Sequence, residues 1–200
     1  TPFDRNNNVN RPVLRTLVQH LIESGVHGLF VLGSQGEFWA LSHDEKKVVL
    51  ETVLDEAAGR VPVYAGTGAV STREVIELTK MAEAVGADAI SVITPFFLSP
   101  TQEELYNHYR EIAASARLPA LVYTNPGRTG VNLSPEVVAR LSKIDNIVGI
   151  KDSSGDLTLT GEYISRADSD FAVLAGRDTL ILATLLYGGR GAVAATANVA

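Results

Sequence analysis

Lys151 follows the apolar run Ile147-Val-Gly-Ile150 directly, which places a primary amine in or at the end of a buried strand. Withdrawing an ammonium from water disfavours its charged form, and a neutral amine is the group that attacks a ketone to form a Schiff base. An ion pair with the adjacent Asp152, or a lysine whose head reaches water, suits the same position, so residue type alone leaves these readings open. Tyr123 stands at the end of the preceding apolar run. If those two strands are neighbours, its hydroxyl faces the amine and can move protons during imine formation and carbon–carbon cleavage; a core tyrosine tied to a neighbour is the alternative.

Further candidates follow other apolar runs. Gly33-Ser34-Gln35-Gly36 offers a hydroxyl and closely approachable backbone N–H groups, which suits a carboxylate or simply a turn, and Glu37 is expected to hold that turn by accepting backbone hydrogen bonds. Arg128, in the loop after Tyr123, suits a bidentate clamp on a second carboxylate or a solvated surface position. Gly176-Arg177-Asp178 occupies the equivalent place after a later run. Other chemistries fail at their first requirement. Gly66-Thr67-Gly68 opens like a dinucleotide fingerprint, but the third glycine position holds Ser71. His20, His27, His43 and His108 show no metal-ligand spacing, and the absence of Cys removes thiolate sites and disulfides.

These residues need elements to position them. Seven nearly continuous apolar runs read as buried parallel strands: His27–Gly33, Val61–Gly68, Ala87–Pro95, Ala120–Pro126, Ile147–Ser153, Phe171–Asp178 and Gly191–Val199. Helices are expected between them, over about Arg11–Ser24, Asp44–Ala58, Thr72–Val85, Gln102–Ala116, Pro135–Ser142, Asp156–Ala167 and Thr179–Tyr187. Ser42 with Glu45, Ser71 with Glu74 and Thr101 with Glu104 have capping-box spacing, and Ser134-Pro135 is a cap followed by proline. Repeated strand-then-helix units fit a (β/α)8 barrel or a doubly wound sheet. Counting Thr1-Pro2-Phe3 as the end of a further strand favours the barrel, an α/β fold in one domain over residues 1–200. That barrel is expected to be incomplete at both ends, since the chain lacks an initial Met and stops in a small-residue run.

Composition bounds the partner. The formal charge of −6 argues against nucleic acid and anionic membrane surfaces, leaving a small molecule. The apolar runs are too short to span a bilayer and no signal peptide is apparent, so a reducing cytoplasm is the simplest location.

Gly33-Ser-Gln-Gly-Glu37, Tyr123 with Pro126-Gly-Arg-Thr-Gly130, Gly149-Ile-Lys151-Asp152 and Gly188-Gly-Arg-Gly191, in this order and spacing, closely resemble the dihydrodipicolinate synthase and N-acetylneuraminate lyase family. The resemblance implies a (β/α)8 barrel with further C-terminal helices, a dimer or tetramer, and no metal or organic cofactor. It implies a lysine that forms a Schiff base with pyruvate or another 2-oxo acid before a carbon–carbon bond is made or broken. By position it assigns the imine to Lys151, proton transfer to Tyr123, the pyruvate carboxylate to Ser34 and Gln35, and a second carboxylate to Arg128. The Gly176-Arg177 loop is expected at the distal end of the substrate. Two residues depart from the pattern: Gln35 replaces a second hydroxyl residue, and Phe97 replaces a tyrosine that a neighbouring subunit lends to the proton relay. The leading expectation is condensation of pyruvate with aspartate semialdehyde. Aldolase or dehydratase action on 2-keto-3-deoxy sugar acids or 4-hydroxy-2-oxoglutarate is the alternative, and a pyruvate-binding barrel without turnover is the alternative of another class.

Overall fold

Reciprocal side-chain caps set where the outer helices begin. In the computed structural model, which describes residues 1–199, Ser42 accepts from the Glu45 amide while the Glu45 carboxylate accepts from the Ser42 amide. Thr101 and Glu104 repeat the exchange, satisfying amides that the helix itself leaves without partners. Ser71 makes only its own half, accepting from the Glu74 amide, and Ser134 caps Val137 with Pro135 next to it. The helices are α1 (Arg11–Glu23), α2 (His43–Ala57), α3 (Thr72–Val85), α4 (Gln102–Ser115), α5 (Pro126–Thr129), α6 (Pro135–Leu141), α7 (Leu157–Arg166) and α8 (Ile181–Leu186).

Between them run β1 (Leu29–Val31), β2 (Val63–Gly66), β3 (Ala89–Ile93), β4 (Ala120–Thr124), β5 (Ile147–Asp152), β6 (Ala172–Ala175) and β7 (Gly191–Ala192). Neighbours in sequence are neighbours in the sheet, and every pairing is parallel. The doubly wound alternative, which reverses strand order midway, is therefore set aside. β3 and β4 are buried at every position, as strands covered on both faces must be. Towards the helices the sheet packs on Leu50, Leu78, Leu105, Ile112 and Leu141, all at most 2% exposed.

The sheet is curled. Laid flat, β1 and β5 would lie about 19 Å apart at normal strand spacing. Instead the Lys151 amine on β5 is 4.6 Å from the Phe30 ring centroid on β1. Helix α1 also touches the short 3-10 turn Thr196–Asn198, bringing opposite ends of the described chain together.

Three expectations are corrected. Residues 1–3 do not join the sheet, since Phe3 forms an antiparallel bridge with Val9, and the described residues hold seven strands rather than eight. The last strand is two residues long, not nine, because the small residues after it turn at Thr196–Asn198, where Asp178 accepts from the Thr196 amide and hydroxyl. The loop after β4 contains the short helix α5, begun by Pro126. Among the described residues no helix is long and apolar enough to cross a membrane.

Candidate active site

Strand register brings the two reactive side chains together. Tyr123 on β4 pairs with Lys151 on β5, and Thr124 pairs with Asp152. Successive strand residues point to opposite faces, so Tyr123 and Lys151 share the concave face while Asp152 turns towards the helices. There the Asp152 carboxylate accepts from the Ser154 amide at 2.8 Å and the Thr160 hydroxyl at 2.6 Å. The carboxylate thus braces the loop after β5 and helix α7, and the ion pair with Lys151 does not form.

Lys151 lies among aromatic rings. Its Nζ is 4.2 Å from the Tyr123 ring centroid and 4.6 Å from that of Phe30, and the residue is only 7% exposed. Burial pushes the amine below the ordinary lysine value, while Tyr123 and then the Asp178 carboxylate oppose that shift. Tyr123 is buried too. Burial alone would raise its hydroxyl, but the nearby Lys151 charge and hydrogen bonding from Ser34, Asn125 and Ser153 outweigh it, so the phenol is held below its ordinary value. Phenol and amine are each shifted toward the deprotonated form.

The Ser34 loop is held by backbone conformation rather than by Glu37. Leu32 leaves β1 with φ +60° and is buried, and Glu37 closes the 3-10 turn Ser34–Gly36 with φ +58°. A left-handed non-glycine residue costs about 1–2 kcal/mol, and here that conformation turns the chain so that the Ser34 Oγ sits 3.5 Å from the Tyr123 hydroxyl. The Glu37 side chain is exposed and accepts no backbone hydrogen bond among the described residues, contrary to expectation. Next to this group is a cavity whose walls include Phe30, Gly66, Ser91 and Ile93, with the Ser91 hydroxyl buried and without a partner.

The other expected residues stand around the rim. Gln35 and Arg128 are exposed, Arg128 within α5. Arg177 is also exposed, but its Nε donates to the Ser153 carbonyl at 3.2 Å, so it is a tethered side chain rather than a free loop charge. Gly176 is required sterically: a Cβ there would collide with the Ser153 hydroxyl and lie 3.0 Å from the Asp152 carbonyl. Phe97 has φ +75° and is 92% exposed, and the rim is apolar around it, with Trp39 66% and Leu98 60% exposed. The described residues bring Lys151, Tyr123 and Ser34 together and leave Gln35, Arg128 and Arg177 outside that cluster.

Sequence reasoning missed two residues that touch it. Phe30 supplies the second ring beside the amine and meets the Tyr123 ring edge-on at 6.4 Å. Asn125 donates from Nδ2 to the Tyr123 hydroxyl at 3.0 Å. Strand parity contained the signal for Asn125, which stands two residues beyond Tyr123 and therefore on the same face. Among the described residues no group of three or more His, Asp or Glu side chains is gathered for a metal ion. The cluster as a whole offers a nucleophilic amine, a phenol that can give and take a proton, and a hydroxyl beside them, which is the equipment for imine chemistry on a small oxo acid.

Comparison with known proteins gives the family and the fold. The model of the dihydrodipicolinate synthetase family matches residues 1–200. The chain is 46% identical over 200 residues to a 4-hydroxy-tetrahydrodipicolinate synthase of Syntrophus aciditrophicus, covering 100% of this chain and 68% of that one. Among solved structures, a dihydrodipicolinate synthase from Bacillus anthracis superposes with a TM-score of 0.97 at 41% identity, covering 100% of this chain and 68% of the other. A chloride-inhibited dihydrodipicolinate synthase from Acinetobacter baumannii, complexed with pyruvate, gives a TM-score of 0.97 at 42% identity with the same coverage.

Proposed function

The chain belongs to the dihydrodipicolinate synthetase family, and on that premise we propose that it is a lyase that binds pyruvate as an imine on Lys151 and joins it to aspartate semialdehyde through a new carbon–carbon bond. The observation that carries the reading is the Lys151 amine, buried against two aromatic rings and made easier to deprotonate by that burial, with the Tyr123 phenol on the neighbouring strand. The neutral amine adds to the ketone carbon of pyruvate. Protons pass from nitrogen to the former carbonyl oxygen through the Tyr123 hydroxyl, and that oxygen leaves as water. The iminium then loses a C3 proton to become an enamine, whose C3 attacks the aldehyde carbon while the aldehyde oxygen takes up a proton. Water, or the amine of the bound aldehyde, finally displaces Lys151.

In this scheme Ser34 and Gln35 hold the pyruvate carboxylate, and Arg128 clamps the carboxylate of the second substrate. The Gly176-Arg177 loop lines the distal side. The iminium itself serves as the electron sink, so the reaction asks for no metal or organic cofactor. The curled seven-stranded sheet is read as part of an eight-stranded (β/α)8 barrel in one domain, supported by the match to longer solved chains. A homo-oligomer in the cytoplasm is the working form, and the apolar rim of Trp39, Phe97 and Leu98 suits a subunit interface.

Incubation of the full chain with pyruvate, borohydride reduction and peptide mass spectrometry tests the imine. A reduced adduct on Lys151 is expected, and its absence overturns the reading. Gln35 and Phe97, neither of which offers a hydroxyl, favour a second reading as an aldolase or dehydratase of 2-keto-3-deoxy sugar acids or 4-hydroxy-2-oxoglutarate. A substrate panel on the parent and Arg128→Ala separates the two. Loss confined to the semialdehyde reaction supports the synthase; turnover of sugar acids alone supports the second reading. Pyruvate binding with neither adduct nor turnover identifies a binding barrel.

A further inference from the structure

Asn125 stands where a helix cap is expected and does not cap. It is the residue before α5, the position at which an asparagine side chain ordinarily accepts a backbone N–H of the first turn, yet its side chain makes no such bond. The backbone carbonyl of Asn125 does the holding instead, accepting from the Arg128 amide at 2.9 Å, the Thr129 amide at 3.0 Å and the Thr129 hydroxyl at 3.1 Å. Thr129 is anchored in turn, since its hydroxyl accepts from the buried Thr94 hydroxyl at 3.0 Å and from the Val131 amide at 3.2 Å. The mount is rigid, and the freed amide points back along the strand face to the Tyr123 hydroxyl.

We propose that Asn125 is a positioning residue for proton transfer, donating its amide N–H to the Tyr123 oxygen so that the phenol's own proton is aimed at Ser34 and the reacting centre. The inference rests on the imine reading of Lys151 and extends it. A phenol oxygen that accepts from Asn125 cannot direct its proton back along that line, and its proton is left to the groups on the other side, of which the Ser34 Oγ stands at 3.5 Å. The groups facing the phenol are then Lys151 from β5, Ser153 from the loop after β5, Ser34 from the loop after β1 and Asn125 from its own strand end; Asp178 faces Lys151. All of them belong to one chain. The hydroxyl that Phe97 lacks is therefore not needed to orient Tyr123.

The test uses the full chain as the parent with Asn125→Leu, which removes the amide, and Asn125→Asp, which keeps its shape but replaces donors with an acceptor. Donation to a phenol oxygen favours the phenolate, so losing it must raise the pKa of Tyr123. Both variants are expected to lower kcat about tenfold or more with KM for pyruvate within about twofold, and to move the pH profile of imine formation to higher pH, furthest in Asn125→Asp. The ultraviolet difference signal of phenol ionisation, referenced to Tyr123→Phe, should move in the same direction. Asn125→Gln, which retains a donor, should recover part of kcat. Should Asn125→Leu fail to fold, the near-isosteric Asn125→Asp carries the decision. Unchanged pH profile and phenol signal in a folded variant that still traps pyruvate overturns the role of Asn125 alone. Failure of the parent to trap pyruvate overturns the imine reading, and the inference with it.

Discussion

Among the described residues two nitrogen bases, Lys151 and His108, are buried, and burial acts on both in the same sense. Lys151 lies on the concave face of the sheet, 7% exposed; His108 lies in helix α4 among the outer helices, 6% exposed. Desolvation pushes the lysine below its ordinary value and the histidine from 6.5 to about 4. Their surroundings differ. The lysine has a phenol on the adjacent strand and a cavity beside the cluster. The histidine meets the Thr72 hydroxyl at 2.9 Å through Nδ1, has the Tyr109 ring edge-on at 5.2 Å, and leaves Nε2 buried without a partner. A shifted base is thus not in itself a site. Chemistry also needs a relay of groups that exchange protons with the base, and of the two Lys151 has it, in the Tyr123 phenol with Ser34 and Asn125 bonded to that phenol.

The largest break in the comparison should come from Lys151→Met, which keeps the apolar stem and removes the amine. No reduced adduct with pyruvate and no measurable turnover are expected, while the thermal midpoint at pH 7 holds or rises, because a buried amine is exchanged for an apolar group. A retained adduct would place the imine elsewhere. Tyr123→Phe should come next, lowering kcat by ~10²–10⁴ while the fold persists, the range for losing a general acid–base group. A fall below tenfold would remove the phenol from the proton path.

His108 sharpens the comparison from the other side. The sign follows from proton counting. Below about pH 6.5 the unfolded chain takes up a proton on this ring that the folded chain refuses until about pH 4, so stability is full above 6.5 and is lost as pH falls through that window. The loss amounts to roughly 3 kcal/mol across the window. Urea unfolding between pH 7 and 4 should show it in the parent and show it flattened in His108→Leu, with the pH 7 rate of imine formation per folded molecule unaltered. A matching acid sensitivity in both proteins would mean that carboxylates, not this ring, carry the acid response.

How much of this was legible beforehand depended on how local the signal was. The capping boxes at Ser42 and Thr101 and the seven apolar runs are local, and strand order, strand positions and helix starts followed from them. Lys151 and Tyr123 were legible because each ends an apolar run and parallel neighbours bring such ends together. The left-handed turns at Leu32, Glu37 and Phe97 were not, because none of these residue types advertises positive φ; tertiary packing imposes it. The short final strand was over-read because small residues such as Ala192–Ala195 fit a strand or a turn equally well, and a long-range bond from Thr196 to Asp178 decided between them. Phe30 read as ordinary core until the curl of the sheet brought β1 across to β5.

The smallest predicted effect discriminates most finely between the two bases. Thr72 is half-buried at the start of α3, and Thr72→Val removes the hydroxyl opposite His108 Nδ1 while keeping the shape. Water can reach part of the vacated position, so the loss in unfolding free energy at pH 7 should be about 1 kcal/mol, the usual worth of one neutral hydrogen bond. The acid window should stay where it is, because burial rather than this bond keeps the ring uncharged. Urea midpoints of Thr72→Val at pH 7 and pH 4.5, set against the parent, read both quantities together. A uniform shift at the two pH values supports a packing-enforced neutral histidine, the inert counterpart of Lys151. A variant whose acid loss largely vanishes would show that a specific partner governs His108, and the two bases would then differ in the cause of their shifts as well as in their use.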